Sequence, residues 1–237
     1  MKNDKEAKRF LQYGNLEGRI MKRILFLLLI GMNFSLKAET DTEKVFTEIY
    51  KKGIWSWGVE GHSGSGSELH NAIDYVNFLQ SFLKNREIRN VVDLGCGDWR
   101  FSQYIDWSGI EYFGCDVVAY LVDRNQKSYG KPGINFLHID GADTPLQEAD
   151  LLVCKDVLQH LPNHEIKRIL EQLPKFKYCL ITNDVDPMTL TANNEDIEVG
   201  GYRNVDLTQP PFNIKGLKVL NYRSQYVVKQ VLLIERE

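Results

Sequence analysis

Residues 91–102, VVDLGCGDWRFS, decide the fold. They run from an apolar strand through an acid, Asp93, into a loop with glycines at 95 and 97. Glycine permits the positive-φ turns and close backbone approach that a β-carbon obstructs, so such a loop suits the mouth of a nucleotide-type site. Trp99 stands where a third small residue would be expected. It leaves the two glycines intact, and its expected role is to plug the base of a following helix, RFSQYIDW; walling a cofactor or stacking on a substrate is the alternative.

Working outward, four further short apolar runs follow: EYFGCDV (111–117), INFLHID (134–140), ADLLVCKDV (149–157) and KYCLITND (177–184). Helical or loop segments separate them, which predicts a mostly parallel sheet covered on both faces. LKVLNYRS (217–224) and YVVKQVLLIERE (226–237), separated by Gln225 alone, read as a closing hairpin. Before the first strand, TEKVFTEIYKKG (42–53) predicts a short helix, and WSWGVEGHSGSGSE a Gly/Ser-rich loop. Ser67 is placed to cap a helix to about Asn85, with Ile73, Val76, Leu79 and Leu83 on one face. The expected organisation is an N-terminal extension, 1–40, and one domain, 41–237, whose core spans 88–237.

The composition is globular, 43% hydrophobic and 26% charged. Residues 1–23 hold seven Lys/Arg against three Asp/Glu, and the remainder carries 22 against 29, a net −7. An acidic body argues against gripping nucleic acid. MKRILFLLLIGMNFSLKAE, starting at Met21, has the charged start, apolar stretch and small residue of a signal or anchor segment (21–38), so membrane association through residues 24–36 is a possible role. Cys96, Cys115, Cys154 and Cys179 lie in or at the ends of core strands without CxxC spacing. That gives no zinc or redox site and fits a reducing compartment, so export and retention both stay open.

In an open α/β sheet, ligands bind outside the carboxyl ends of the strands. Those ends carry Asp93, Gly95 and Gly97, then Asp116, then Asp140 with Gly141, then Lys155 and Asp156 with Gln159 and His160, then Asn183 and Asp184. VVDLGCG followed by FGCD resembles the class I S-adenosylmethionine-dependent methyltransferases. The resemblance implies a Rossmann-like, seven-stranded sheet with a C-terminal hairpin, and S-adenosylmethionine as cofactor. By it, Gly95 and Gly97 approach the methionine part, Asp116 accepts both ribose hydroxyls, Asp140 meets the adenine amino group, and Asp93 helps hold the amino-acid end. WSWGVEGHSGSGSE and GGYRNVDLTQPPFNI (200–214) are similar to stretches in a poorly characterised bacterial subgroup of these enzymes.

The expected activity is methyl transfer to a small-molecule or other non-nucleic-acid acceptor. A noncatalytic cofactor-binding or effector protein is one alternative. The other is an NAD-dependent oxidoreductase, whose glycine fingerprint fails because Arg100 stands at the third position. Asp156 and His160, four apart and plausibly on one helical face, are candidate bases, with Asp184 third. Trp57 with Trp55, and Ser65 in the Gly/Ser loop, are candidates for a lid or substrate contact, and Arg203 for gripping an anion or pairing with Asp206. QPPF, 209–212, is expected to form a rigid loop over the substrate mouth.

Overall fold

The computed structural model describes residues 39–185 and 194–236. From Thr40 onward the chain forms one compact unit. Segment 21–38 lies outside the described residues, and no described helix is long and apolar enough to cross a membrane.

Helix α1, Asp41–Lys52, starts where Thr40 accepts a hydrogen bond from the Glu43 amide at 3.0 Å. It ends at Gly53, whose φ of 59° lets its amide reach the carbonyls of Ile49 and Tyr50. Helix α2, Leu69–Asn85, buries Ala72, Tyr75, Val76, Leu79, Phe82 and Leu83. Two expectations need correction here. Glu68, not Ser67, occupies the cap position, and Ile73 is largely exposed because the buried stripe runs through Ala72 and Tyr75 instead.

The strands are β1 Asn90–Leu94, β2 Glu111–Asp116, β3 Ile134–His138, β4 Ala149–Lys155, β5 Phe176–Val185, β6 Leu217–Ser224 and β7 Val227–Glu235. They form one seven-stranded sheet in the order β3-β2-β1-β4-β5-β7-β6. The first five are parallel, while β7 runs antiparallel between β5 and β6. The closing turn is Gln225–Tyr226 rather than Gln225 alone, with Gln225 at φ 52°.

Successive residues of a strand face opposite sides, and both sides here are apolar. Val92, Leu94, Leu152, Cys154, Cys179 and Ile181 join one core with α1 residues Phe46, Ile49 and Tyr50. Helix α4, Asn163–Leu170, adds Ile166 and Ile169 to that side. Val91, Leu151, Val153, Tyr178 and Leu180 join a second core with α2. Helix α3, Ala119–Tyr129, connects β2 to β3.

No helix follows β1 directly. Only a 3-10 turn, Ser102–Tyr104, stands where one was expected, because Trp99 takes a left-handed φ of 56° and diverts the backbone. Its indole is buried against Tyr112, Tyr129 and Phe136. Trp99 therefore packs core and walls neither of the two cavities described below.

Candidate functional site

The winding reverses between β1 and β4, and two cavities open there at the carboxyl ends of the strands. The first, about 80 Å³, is lined by Asp116, Val117, Asp140, Gly141, Glu165 and the apolar Ile139, Leu161 and Ile169, among others. The second, about 400 Å³, is polar and includes Asp93, Gly97, Lys155, Asp184, Tyr202 and Lys229. Tyr50, Trp55, Gly95, Asp156 and His160 line both.

The glycine turn is held from below. The amides of Gly95 and Cys96 donate to the Cys115 carbonyl at 2.8 and 3.1 Å, and that of Gly97 donates to Asp116 Oδ2 at 2.9 Å. Gly95 has φ 74°, and an added Cβ would lie 2.2 Å from the Val157 side chain. At Gly97, φ 55°, it would lie 2.3 Å from Ser63 Oγ. The loop therefore presents bare backbone to its surroundings, with its amides already engaged.

Asp116 Oδ1 also accepts from the Val118 amide at 2.9 Å. A carboxylate has about four acceptor positions, so capacity remains for hydroxyl donors. Burial pushes its pKa up, and the backbone amides oppose that. Asp93 is buried and accepts from the Tyr112 hydroxyl. Desolvation raises its pKa to about 6 despite that bond. Asp140 closes its own turn through the Ala142 amide and accepts from Thr40 Oγ1 at 2.9 Å, tying α1 to the rim. Gly141 is required by packing, since a Cβ there would sit 2.5 Å from Leu94.

Asp156 and His160 do not share a helical face. Asp156 has φ 60°, and the chain then makes only a 3-10 turn, Leu158–His160. Burial disfavours the charge of Asp156, but Lys155 at 2.6 Å and Lys229 at 2.8 Å hold its pKa down at about 2. A carboxylate so held is a weak proton acceptor. Asp184 receives Lys229 as well, and Tyr202 donates to its other oxygen at 2.9 Å.

His160 is different. Its Nδ1 lies 2.8 Å from the Gly201 carbonyl, which can only accept, so Nδ1 carries the hydrogen and Nε2 the lone pair. Burial lowers its pKa. Its ring packs 4.8 Å from Trp55.

Trp57, Arg203 and the QPPF loop fall elsewhere. Trp57 is 99% exposed and lines neither cavity; Trp55 is the covering indole. Arg203 turns away to Asn163 Oδ1 and the Leu158 and Gln159 carbonyls, while Asp206 pairs with Lys218. The QPPF loop contributes nothing to either cavity, because the Asn194 side chain fastens the Pro210 carbonyl elsewhere. Ser65 does line the second cavity.

Glu165, Thr40, Thr42 and Lys229 also shape the site and belong to no motif of the sequence. A single lysine inside the apolar run of β7 was the visible signal for the last of these. Among the described residues no cluster of His, Cys, Asp and Glu is arranged to hold a metal.

Residues 92–176 match the family model described as a methyltransferase domain. That segment, about a third of the chain, carries the sequence pattern of a methyltransferase domain. The cofactor of that family is S-adenosylmethionine.

A trans-aconitate 2-methyltransferase of Rhizobium leguminosarum is 38% identical over 84 residues, covering 33% of this chain and 31% of that protein. A counterpart from Rhizobium etli is 36% identical over the same length. The chain thus aligns with about a third of the length of these curated relatives. Among solved structures, a magnesium protoporphyrin IX methyltransferase from Synechocystis with bound SAM superposes with TM-score 0.57 at 15% identity, covering 85% of this chain and all of that one. An N-methyltransferase from Bradyrhizobium japonicum in complex with S-adenosyl-L-homocysteine gives 0.57 at 13%, covering 84% of this chain and all of that one. These structural likenesses place the methyltransferase domain in the Rossmann-like fold.

Proposed function

We propose that this chain transfers the methyl group of S-adenosylmethionine to a small polar acceptor. The observation that carries the reading is the meeting of two unlike cavities at Gly95, Asp156 and His160. One has apolar walls and a buried carboxylate with acceptor capacity to spare, which suits a nucleoside. The other is polar and large enough for a small substrate.

In this reading Asp116 accepts the ribose hydroxyls, Val117, Ile139 and Leu161 flank the base, and Asp93 faces the amino-acid end. The bound cofactor supplies an electrophilic methyl group on a sulfonium. The acceptor occupies the second cavity, held among Ser65, Lys155, Tyr202 and Lys229. His160, neutral and with Nε2 unprotonated, is the base that takes a proton from an acceptor hydroxyl or amine. Tyr50 and Trp55 cover the junction and limit water there. The small-acceptor assignment is supported by the polarity of the second cavity, by the −7 charge of the body and by the small-molecule substrate named for the Rhizobium relatives.

Calorimetric titration of the full-length chain with S-adenosylhomocysteine, and separately with NAD, tests the reading. Binding of the first alone is expected, weakened at least about tenfold in Asp116→Asn through loss of a charge-assisted hydrogen bond. Binding of NAD alone, or unchanged affinity in a folded Asp116→Asn, overturns it.

A further inference from the structure

Helix α4 places Glu165 in the wall of the first cavity, 94% buried by its 6% relative exposure. One carboxyl oxygen, Oε1, accepts from Thr42 Oγ1 at 2.8 Å. The other, Oε2, is buried and makes no hydrogen bond among the described residues. Native interiors rarely leave such an atom unpaired, and each one that is calls for a role or a partner.

The neighbourhood narrows what that partner is. Asp140 lines the same cavity, so two acids share one end of it, each tethered by a threonine at the start of α1: Thr40 on Asp140 and Thr42 on Glu165. Burial and the charge of Asp140 both push the Glu165 pKa up. Two acids side by side call for a neutral group with two hydrogens to give. A primary amine on an aromatic ring has that chemistry, whereas a ring carbonyl would set a third acceptor against the two acids.

We infer that Glu165 is a specificity-determining residue that accepts a hydrogen bond from the exocyclic amino group of the nucleoside base, beside Asp140, and so selects a 6-aminopurine over a 6-oxopurine. The inference rests on the cofactor reading above. It adds a selective contact from α4. Thr42 acts through Glu165 as a positioning residue, fixing Oε1 so that Oε2 is the oxygen left for the base.

The test is binding, without turnover. Full-length protein is titrated with S-adenosylhomocysteine and with S-inosylhomocysteine, which differ at the base edge. Wild type is expected to prefer the amino form at least about tenfold. Glu165→Gln keeps the shape but offers either an oxygen or an NH2, so it can meet either base, and the preference should fall to less than about threefold.

Glu165→Ala should lose the preference as well. Thr42→Val, which releases Oε1 and lets the carboxyl turn, should lower the preference to an intermediate value, and thermal melting of each variant without ligand confirms that it is folded. Equal binding of both ligands to wild type, or an undiminished preference in folded Glu165→Gln and Glu165→Ala, overturns the inference while leaving the cofactor reading standing. Failure of wild type to bind S-adenosylhomocysteine at all overturns both.

Discussion

Tyr112 in β2 donates its hydroxyl hydrogen to Asp93 Oδ2 in β1 across 2.6 Å of buried space. The bond favours the carboxylate, yet desolvation outweighs it, and the Asp93 pKa stands at about 6 against an ordinary 3.8. An acid whose pKa rises on folding binds its proton more tightly in the native state. Stability therefore falls as pH rises from about 4 to about 6, by roughly 3 kcal/mol from this group, and is level above that. Asp93→Asn should flatten that part of the profile in denaturant titrations across pH. An unchanged slope would assign it to another group.

Gly97→Ala combines a left-handed φ with a Cβ 2.3 Å from Ser63 Oγ and 3.0 Å from the Tyr50 hydroxyl. Ser63 also ties its segment to the glycine turn, receiving the Asp98 amide and donating its own to Asp98. The substitution should cost about 2 kcal/mol, part conformational and part steric. Adding Ser63→Gly should recover some of the steric part, visible as a partial rise in melting temperature over the single variant. Strict additivity of the two changes would show that Ser63 is not the obstacle.

Lys229 neutralises two acids, the partly buried Asp156 and the buried Asp184. Lys229→Met leaves Asp184 without this cation and Asp156 with Lys155 alone. A loss of about 3–5 kcal/mol is expected from urea unfolding at neutral pH. In wild type, the Asp156 share of stability is complete above about pH 4 and disappears as pH falls through about 2, because folding lowers this pKa. A loss under about 1 kcal/mol would mean that the acids reorganise into water.

Trp99→Ala should destabilise the domain by about 3–5 kcal/mol, since a fully packed indole leaves a cavity among Tyr112, Tyr129 and Phe136. Affinity for S-adenosylhomocysteine, measured below the lowered melting point, should change less than about threefold. A large drop in affinity with little loss of stability would return the indole to the ligand.

The strands were legible because each is a short apolar run bounded by turn residues, and a sheet buried on both faces needs just that pattern. The same pattern located the acids at the strand ends. What periodicity could not reveal was direction. Arg203 and Asp156 are charged residues near the rim, but their forks are spent on Asn163 and on two lysines. Such pairings join residues up to 73 positions apart. Trp55 and Trp57 look alike in the sequence, and only the left-handed backbone at Trp57 separates the packed indole from the exposed one. Glu165 was hidden because a glutamate in the first turn of a helix is ordinary, and its meaning lies in Thr42, 123 residues earlier.

The four cysteines, set in β2, β4 and β5 and just past β1, are all free and buried, and burial pushes every thiol pKa upward. Each is therefore shielded from alkylating reagents for as long as its strand stays in place. Timed labelling with iodoacetamide, read cysteine by cysteine by mass spectrometry, would time the opening of these four neighbouring strands one by one, and a ligand that clamps the strand ends would slow every one of those clocks together.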